Sequence, residues 1–129
     1  MAMPDCVLDA SAVMARLRNE RGAGIVEARA ANAVMSAVNQ AEVITRLIDL
    51  GVEPVAAATT MGALGIEIAP FDGAMAIRAG ILRVSTRRRG LSLGDRACLA
   101  LAGATGLPAL TADRAWAELD LGVEVVLIR

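Results

Sequence analysis

The sequence predicts a single α/β domain spanning residues 1–129, built on a largely parallel sheet. Three observations point there. Short apolar runs alternate with helical stretches along the chain, the pattern of strands joined through helices. No internal repeat, low-complexity segment or linker divides it. Finally, 129 residues with 56% hydrophobic content are enough to bury a real core.

The elements follow in order. Cys6-Val7-Leu8 is a short strand that stops on a carboxylate, Asp9, and Ala10 to Arg18 reads as a helix. Gly22 and Gly24 mark a turn before a second helix near Ile25 to Ala31. Ala33-Val34-Met35 is a second strand, followed by a strong helix from Ala37 to Leu50. Pro54 suits the first turn of another helix, running to about Leu64. Ile66-Glu67-Ile68 is a third strand, and Phe71 to about Arg87 one long helix. Asp95 to about Thr105 is helical, and Gly106-Leu107-Pro108 turns into a strand at Ala109-Leu110-Thr111. A short helix carries Trp116, and Val123 to Ile128 is the last strand.

Composition removes several function classes. The longest uncharged run, Ala97 to Ala112, is broken by Gly103, Gly106 and Pro108 and is too short to span a bilayer. The opening MAMPDC lacks the basic and apolar regions of a signal peptide. Cys6 and Cys98 form no disulfide framework and are expected as reduced thiols in a cytoplasmic protein. The net charge of −1 advertises no basic nucleic-acid surface, and 2% aromatic content supplies no base-stacking platform. The mean hydropathy of +0.54 is high for a soluble chain, and surplus apolar surface of that kind suggests a homo-oligomer or a partner protein.

The informative residues are acids. Functional groups of parallel sheets gather at the carboxyl ends of the strands. Asp9 and Asp113 end predicted strands or sit just past them, and Asp95 stands in the first turn of a helix. Glu42 borders the apolar face of the helix that also carries Val38, Ala41, Thr45 and Ile48. Each has a local explanation: Asp9 and Asp113 as helix caps, Asp95 in a capping box with Ser92, Glu42 in an i, i+4 ion pair with Arg46. Together, four carboxylates near one sheet edge would repel one another unless a cation intervenes. Oxygen donors without histidine suit Mg²⁺ or Mn²⁺ rather than zinc.

Rival chemistries lack their parts. There is no histidine, so no Ser-His or Cys-His nucleophile, and no lysine, so neither a P-loop nor a lysine-dependent phosphotransfer site. Gly22/Gly24 and Gly62/Gly65 complete no dinucleotide fingerprint.

VLDASAV, SAVNQAEVITRL, LSLGDRACLALA and LTADRAW, in that order and spacing, resemble the PIN-domain ribonucleases. More narrowly, they resemble the VapC-type toxins of bacterial toxin–antitoxin pairs. The resemblance implies a PIN-like three-layer α/β/α sandwich with a central, mostly parallel five-stranded sheet. It places the acidic site on Asp9, Glu42, Asp95 and Asp113, holding one or two Mg²⁺ or Mn²⁺ ions. It implies an endoribonuclease leaving 5′-phosphate and 3′-hydroxyl ends and a cognate antitoxin; the surplus apolar surface would serve a homodimer and a groove for an antitoxin segment. Ser11 and Thr111 match the small hydroxyl residues that support the carboxylates, although local turn hydrogen bonding also accounts for them. Arg16 is a candidate phosphate contact. Arg87-Arg88-Arg89 is expected as the cationic end of a long helix and Trp116 as a packing anchor. Two other readings stay open: a catalytically silent PIN-like binding module, and a PIN nuclease of RNA maturation.

Overall fold

The computed structural model of the protein describes residues 3–129; the first two residues of the MAMPDC stretch lie outside them. Five strands, β1 (Cys6–Leu8), β2 (Ala33–Ser36), β3 (Glu67–Ala69), β4 (Ala109–Thr111) and β5 (Val125–Leu127), form one sheet in the order β3-β2-β1-β4-β5. All four pairings are parallel, with Val7 of central β1 facing Val34 on one side and Ala109 on the other.

Alternation along the strands builds the layers, because successive side chains point to opposite faces. Cys6, Leu8, Met35 and Leu110 turn into a core shared with α1 (Ala10–Leu17), α2 (Ala23–Arg29), α3 (Ala37–Asp49) and α4 (Pro54–Ala63). Val7, Val34 and Ala109 turn the other way, against Trp116 and Leu99. That second layer is carried by α5 (Gly73–Ile81), α6 (Arg83–Thr86) and α7 (Leu93–Thr105). β1 is fully buried on both faces, which is why it reads as an unbroken apolar run. The result is the expected three-layer α/β/α sandwich, its sheet wholly rather than mostly parallel.

Helix starts match their sequence signals. Ser36 caps α3, Pro54 opens α4, and Ser92 with Asp95 forms a reciprocal capping box on α7. Gly106, at φ +73°, ends α7 and returns the chain to β4.

Three expectations need correction. The single helix over 71–87 is α5, α6 and a 3₁₀ turn, Arg87–Arg89. Buried Thr86 donates its hydroxyl to the Leu82 carbonyl (2.8 Å) at the break, and back-bonding of this kind bends helices. The last strand pairs only over Val125–Leu127, because its one neighbour, β4, is itself three residues long. The third strand starts at Glu67, leaving Ile66 as a core side chain. Among the described residues no helix is long and apolar enough to cross a membrane.

Candidate acidic site

The carboxyl edge of the sheet is where the acids meet. Asp9 leaves β1 in an extended conformation (φ −88°, ψ 175°) and caps α1, accepting from the Ala12 N–H at 2.8 Å. Its other oxygen accepts from the Thr111 hydroxyl at 2.6 Å, and the Ser11 hydroxyl bridges both oxygens at 2.8 and 2.9 Å. Ser11 and Thr111 are themselves held by the N–H groups of Ala112 and Asp113, at 2.9 and 3.0 Å. Two neighbouring loops are thus knitted around one carboxylate that is only 4% exposed. Burial pushes the Asp9 carboxyl up to about 6, against the hydroxyl and backbone donors that favour its charge; the nearby Asp95 charge adds to the rise.

The other three acids come from three further elements. Glu42 lies in the second turn of α3 and accepts from the Asn39 amide at 2.8 Å. Asp95 sits at the third position of α7 and accepts from the Ser92 N–H at 3.0 Å. Asp113 follows β4 and caps the 3₁₀ turn Arg114–Glu118 through the Ala115 N–H, also at 3.0 Å. All four line one cleft of about 690 Å³. The Cys98 thiol, fully buried in α7, is pushed well above its ordinary range by burial and then by the charges of Asp9, Asp95 and Glu42.

Each local explanation for an Asp therefore holds as well, since Asp9, Asp95 and Asp113 all cap. As they stand, no three of these acids are close enough to grip one cation, among the described residues. Each of the four is tied to a donor of its own segment. The donor set nevertheless fits a hard divalent ion. Glu42, Asp95 and Asp113 each leave one oxygen without a protein donor among the described residues, and no nitrogen or sulfur ligand competes.

The structure departs from Arg16 as a phosphate contact and from the local Glu42–Arg46 ion pair, the alternative to Glu42 as a site acid. Arg16 does not line the cleft; its guanidinium lies 3.5 Å from Glu27 on α2. Arg18 lines it instead, on the stripe that runs from Ser11 through Met14. Those positions are three and seven residues on from Ser11, so helical periodicity was the signal that selects Arg18. Glu42 likewise bonds Asn39 rather than pairing with Arg46, which stays on the cleft wall. Neither Arg18 nor Arg46 has a carboxylate partner among the described residues. Arg89 pairs with Glu118, and Arg87–Arg89 lines no part of the cleft. Trp116 is fully buried in the second core, as a packing anchor.

Comparison with known proteins follows the same lines. The PIN domain profile matches residues 6–121. No curated protein matches the chain by sequence. Among solved structures, the DNA-bound VapBC of Salmonella typhimurium is similar at 19% identity, covering 98% of this chain and 100% of that one, with a TM-score of 0.75. A toxin–antitoxin complex of Klebsiella pneumoniae is similar at 22% identity, 96% and 98% coverage and a TM-score of 0.74. VapC20 of Mycobacterium tuberculosis, a toxin that cleaves the sarcin–ricin loop, is similar at 18% identity, 92% and 98% coverage and a TM-score of 0.71. With the profile spanning nearly the whole chain, the protein belongs to the PIN domain family.

Proposed function

We propose that the protein is a metal-dependent endoribonuclease, the toxin of a toxin–antitoxin pair, acting as one PIN unit over its 129 residues. The observation that carries this reading is the convergence of Asp9, Glu42, Asp95 and Asp113, from four segments, on one cleft. The chain has neither histidine nor lysine to support other hydrolytic chemistry. The likeness to VapC structures supports the toxin assignment.

One or two Mg²⁺ or Mn²⁺ ions would be held by these four acids, and when bound supply an activated water and neutralise charge on the phosphoryl group. The chain's own residues do the rest. Ser11 and Thr111 hold both Asp9 oxygens in a fixed orientation toward the cleft. Arg18 and Arg46, both lining the cleft, contact the phosphates that flank the scissile bond. Cleavage leaves 5′-phosphate and 3′-hydroxyl ends. The cognate antitoxin would close the cleft with an arginine, whose guanidinium pairs well with carboxylates. Ile77, Ile81 and Val84, more than 60% exposed on α5 and α6, offer an apolar face for a homodimer. Free buried Cys6 and Cys98 suit a reducing cytoplasm.

The test is cleavage of RNA by antitoxin-free protein with Mg²⁺ or Mn²⁺, against an EDTA control. Asp9→Asn and Asp95→Asn should abolish cleavage while the fold persists. Intact RNA under every metal condition, from protein of verified fold, sinks the proposal. It would favour the silent binding module, for which the complete capping roles of Asp9, Asp95 and Asp113 already speak. Cleavage without growth arrest on expression would point to RNA maturation.

A further inference from the structure

α3 and α7 lie on opposite faces of the sheet, yet their first turns meet above its carboxyl edge. Asn39 makes the junction. Its amide donates to Glu42 Oε1 at 2.8 Å and to the Gly94 carbonyl at 3.0 Å. The residue is 1% exposed, and its own side-chain oxygen finds no partner among the described residues. A buried unsatisfied acceptor costs stability, so cohesion alone is a poor reason for an asparagine here. Gly94 completes the arrangement. It is buried in the first turn of α7, immediately before Asp95, and a Cβ there would overlap the carboxyl carbon and both oxygens of Glu42. Its backbone dihedral is not left-handed, so the helix itself has no need of a glycine.

We infer that Gly94 is a positioning residue: the room left by its missing side chain, with the Asn39 amide as anchor, seats the Glu42 carboxylate beside Asp95. The assignment rests on the metal-site reading proposed above. It has an unusual signature, because seat and stability pull in opposite directions. Alanine is favoured over glycine inside a helix. The three atoms a methyl at position 94 would meet first belong to the end of a flexible side chain, which can swing away. Gly94→Ala should therefore keep or raise the stability of the metal-free protein while weakening its hold on metal.

The experiment measures Mn²⁺ binding, by electron paramagnetic resonance of the free ion, alongside thermal unfolding in EDTA. Four full-length proteins are compared: wild type, Gly94→Ala, Glu42→Asp and the double variant. Gly94→Ala should bind Mn²⁺ about 10–100-fold more weakly, the loss usual when a ligand's support is removed, with an unchanged or higher melting temperature. Glu42→Asp withdraws the carboxylate by one bond, about 1.5 Å, so it should weaken binding on its own but restore most of it in the Gly94→Ala background. Wild-type affinity in Gly94→Ala overturns the inference and leaves the metal site standing. Unfolding of Gly94→Ala in EDTA also overturns it, by making Gly94 a structural residue. Wild-type protein that binds no Mn²⁺ removes the metal-site reading itself, and the seat with it.

Discussion

Asp9→Asn has an effect on stability whose sign and pH dependence follow from the geometry. The buried Asp9 carboxyl titrates at about 6 rather than its ordinary 3.8. A raised carboxyl pKa means that the folded state keeps this proton to higher pH than the unfolded state does. The folded form therefore suffers no penalty below pH 3.8, loses ground as pH rises, and carries the full penalty above pH 6. A shift of roughly two units is worth about 3 kcal/mol, and the opposing hydrogen bonds are already contained in it. Asparagine keeps the shape without the charge. Its oxygen can still accept from Ala12 and Ser11, and its amide can donate to Thr111 Oγ1. Thr111 then turns its proton to Ser11, 3.2 Å away. Urea denaturation in EDTA should show Asp9→Asn near wild type at about pH 4 and up to about 3 kcal/mol more stable at about pH 7.5. Added Mn²⁺ should stabilise wild type and not the variant. A variant less stable at that higher pH, by an amount that does not change with pH, would refute the reasoning and leave Asp9 a plain helix cap.

Other outcomes test the surroundings. Arg18→Ala and Arg46→Ala should each weaken RNA binding and lower its salt dependence by about one ion, whereas Arg16→Ala should not, filter binding across a salt series being the check. Thr111→Val removes a donor to Asp9 and the acceptor of the Asp113 N–H. It should cost about 1–3 kcal/mol in urea denaturation at neutral pH, and less in the Asp9→Asn background, where no charge is stranded. Gly22 sits at φ +95°, and a Cβ there would lie 2.6 Å from the Ile128 carbonyl oxygen. Gly22→Ala should cost more than about 1 kcal/mol, while Gly24→Ala, in open space within α2, should gain about 0.4–1 kcal/mol by the same measurement.

The sequence by itself determined the layers and the chemistry available to them. Cys6-Val7-Leu8 reads as a strand because residues buried on both faces leave an unbroken apolar run, and Ala109-Leu110 reads the same way up to the hydroxyl of Thr111. Ser92, Asp95 and Gly106 read as helix ends because capping is settled within a few residues of chain. Asp9, Asp95 and Asp113 could be picked out because each stands where a strand ends or a helix begins.

Tertiary structure decided what those residues touch. The junction of α3 with α7 through Asn39 and the room at Gly94 that Glu42 fills depend on how distant segments pack. Asn39 reaches Gly94 across 55 residues and Thr111 reaches Asp9 across 102. Local pattern specifies which way a side chain faces along its own helix or strand. What meets it there is set by tertiary pairing: two helices from opposite faces close around Glu42, and the pairing of β1 with β4 brings Thr111 to Asp9, a partner that VLDASAV, read alone, left unnamed.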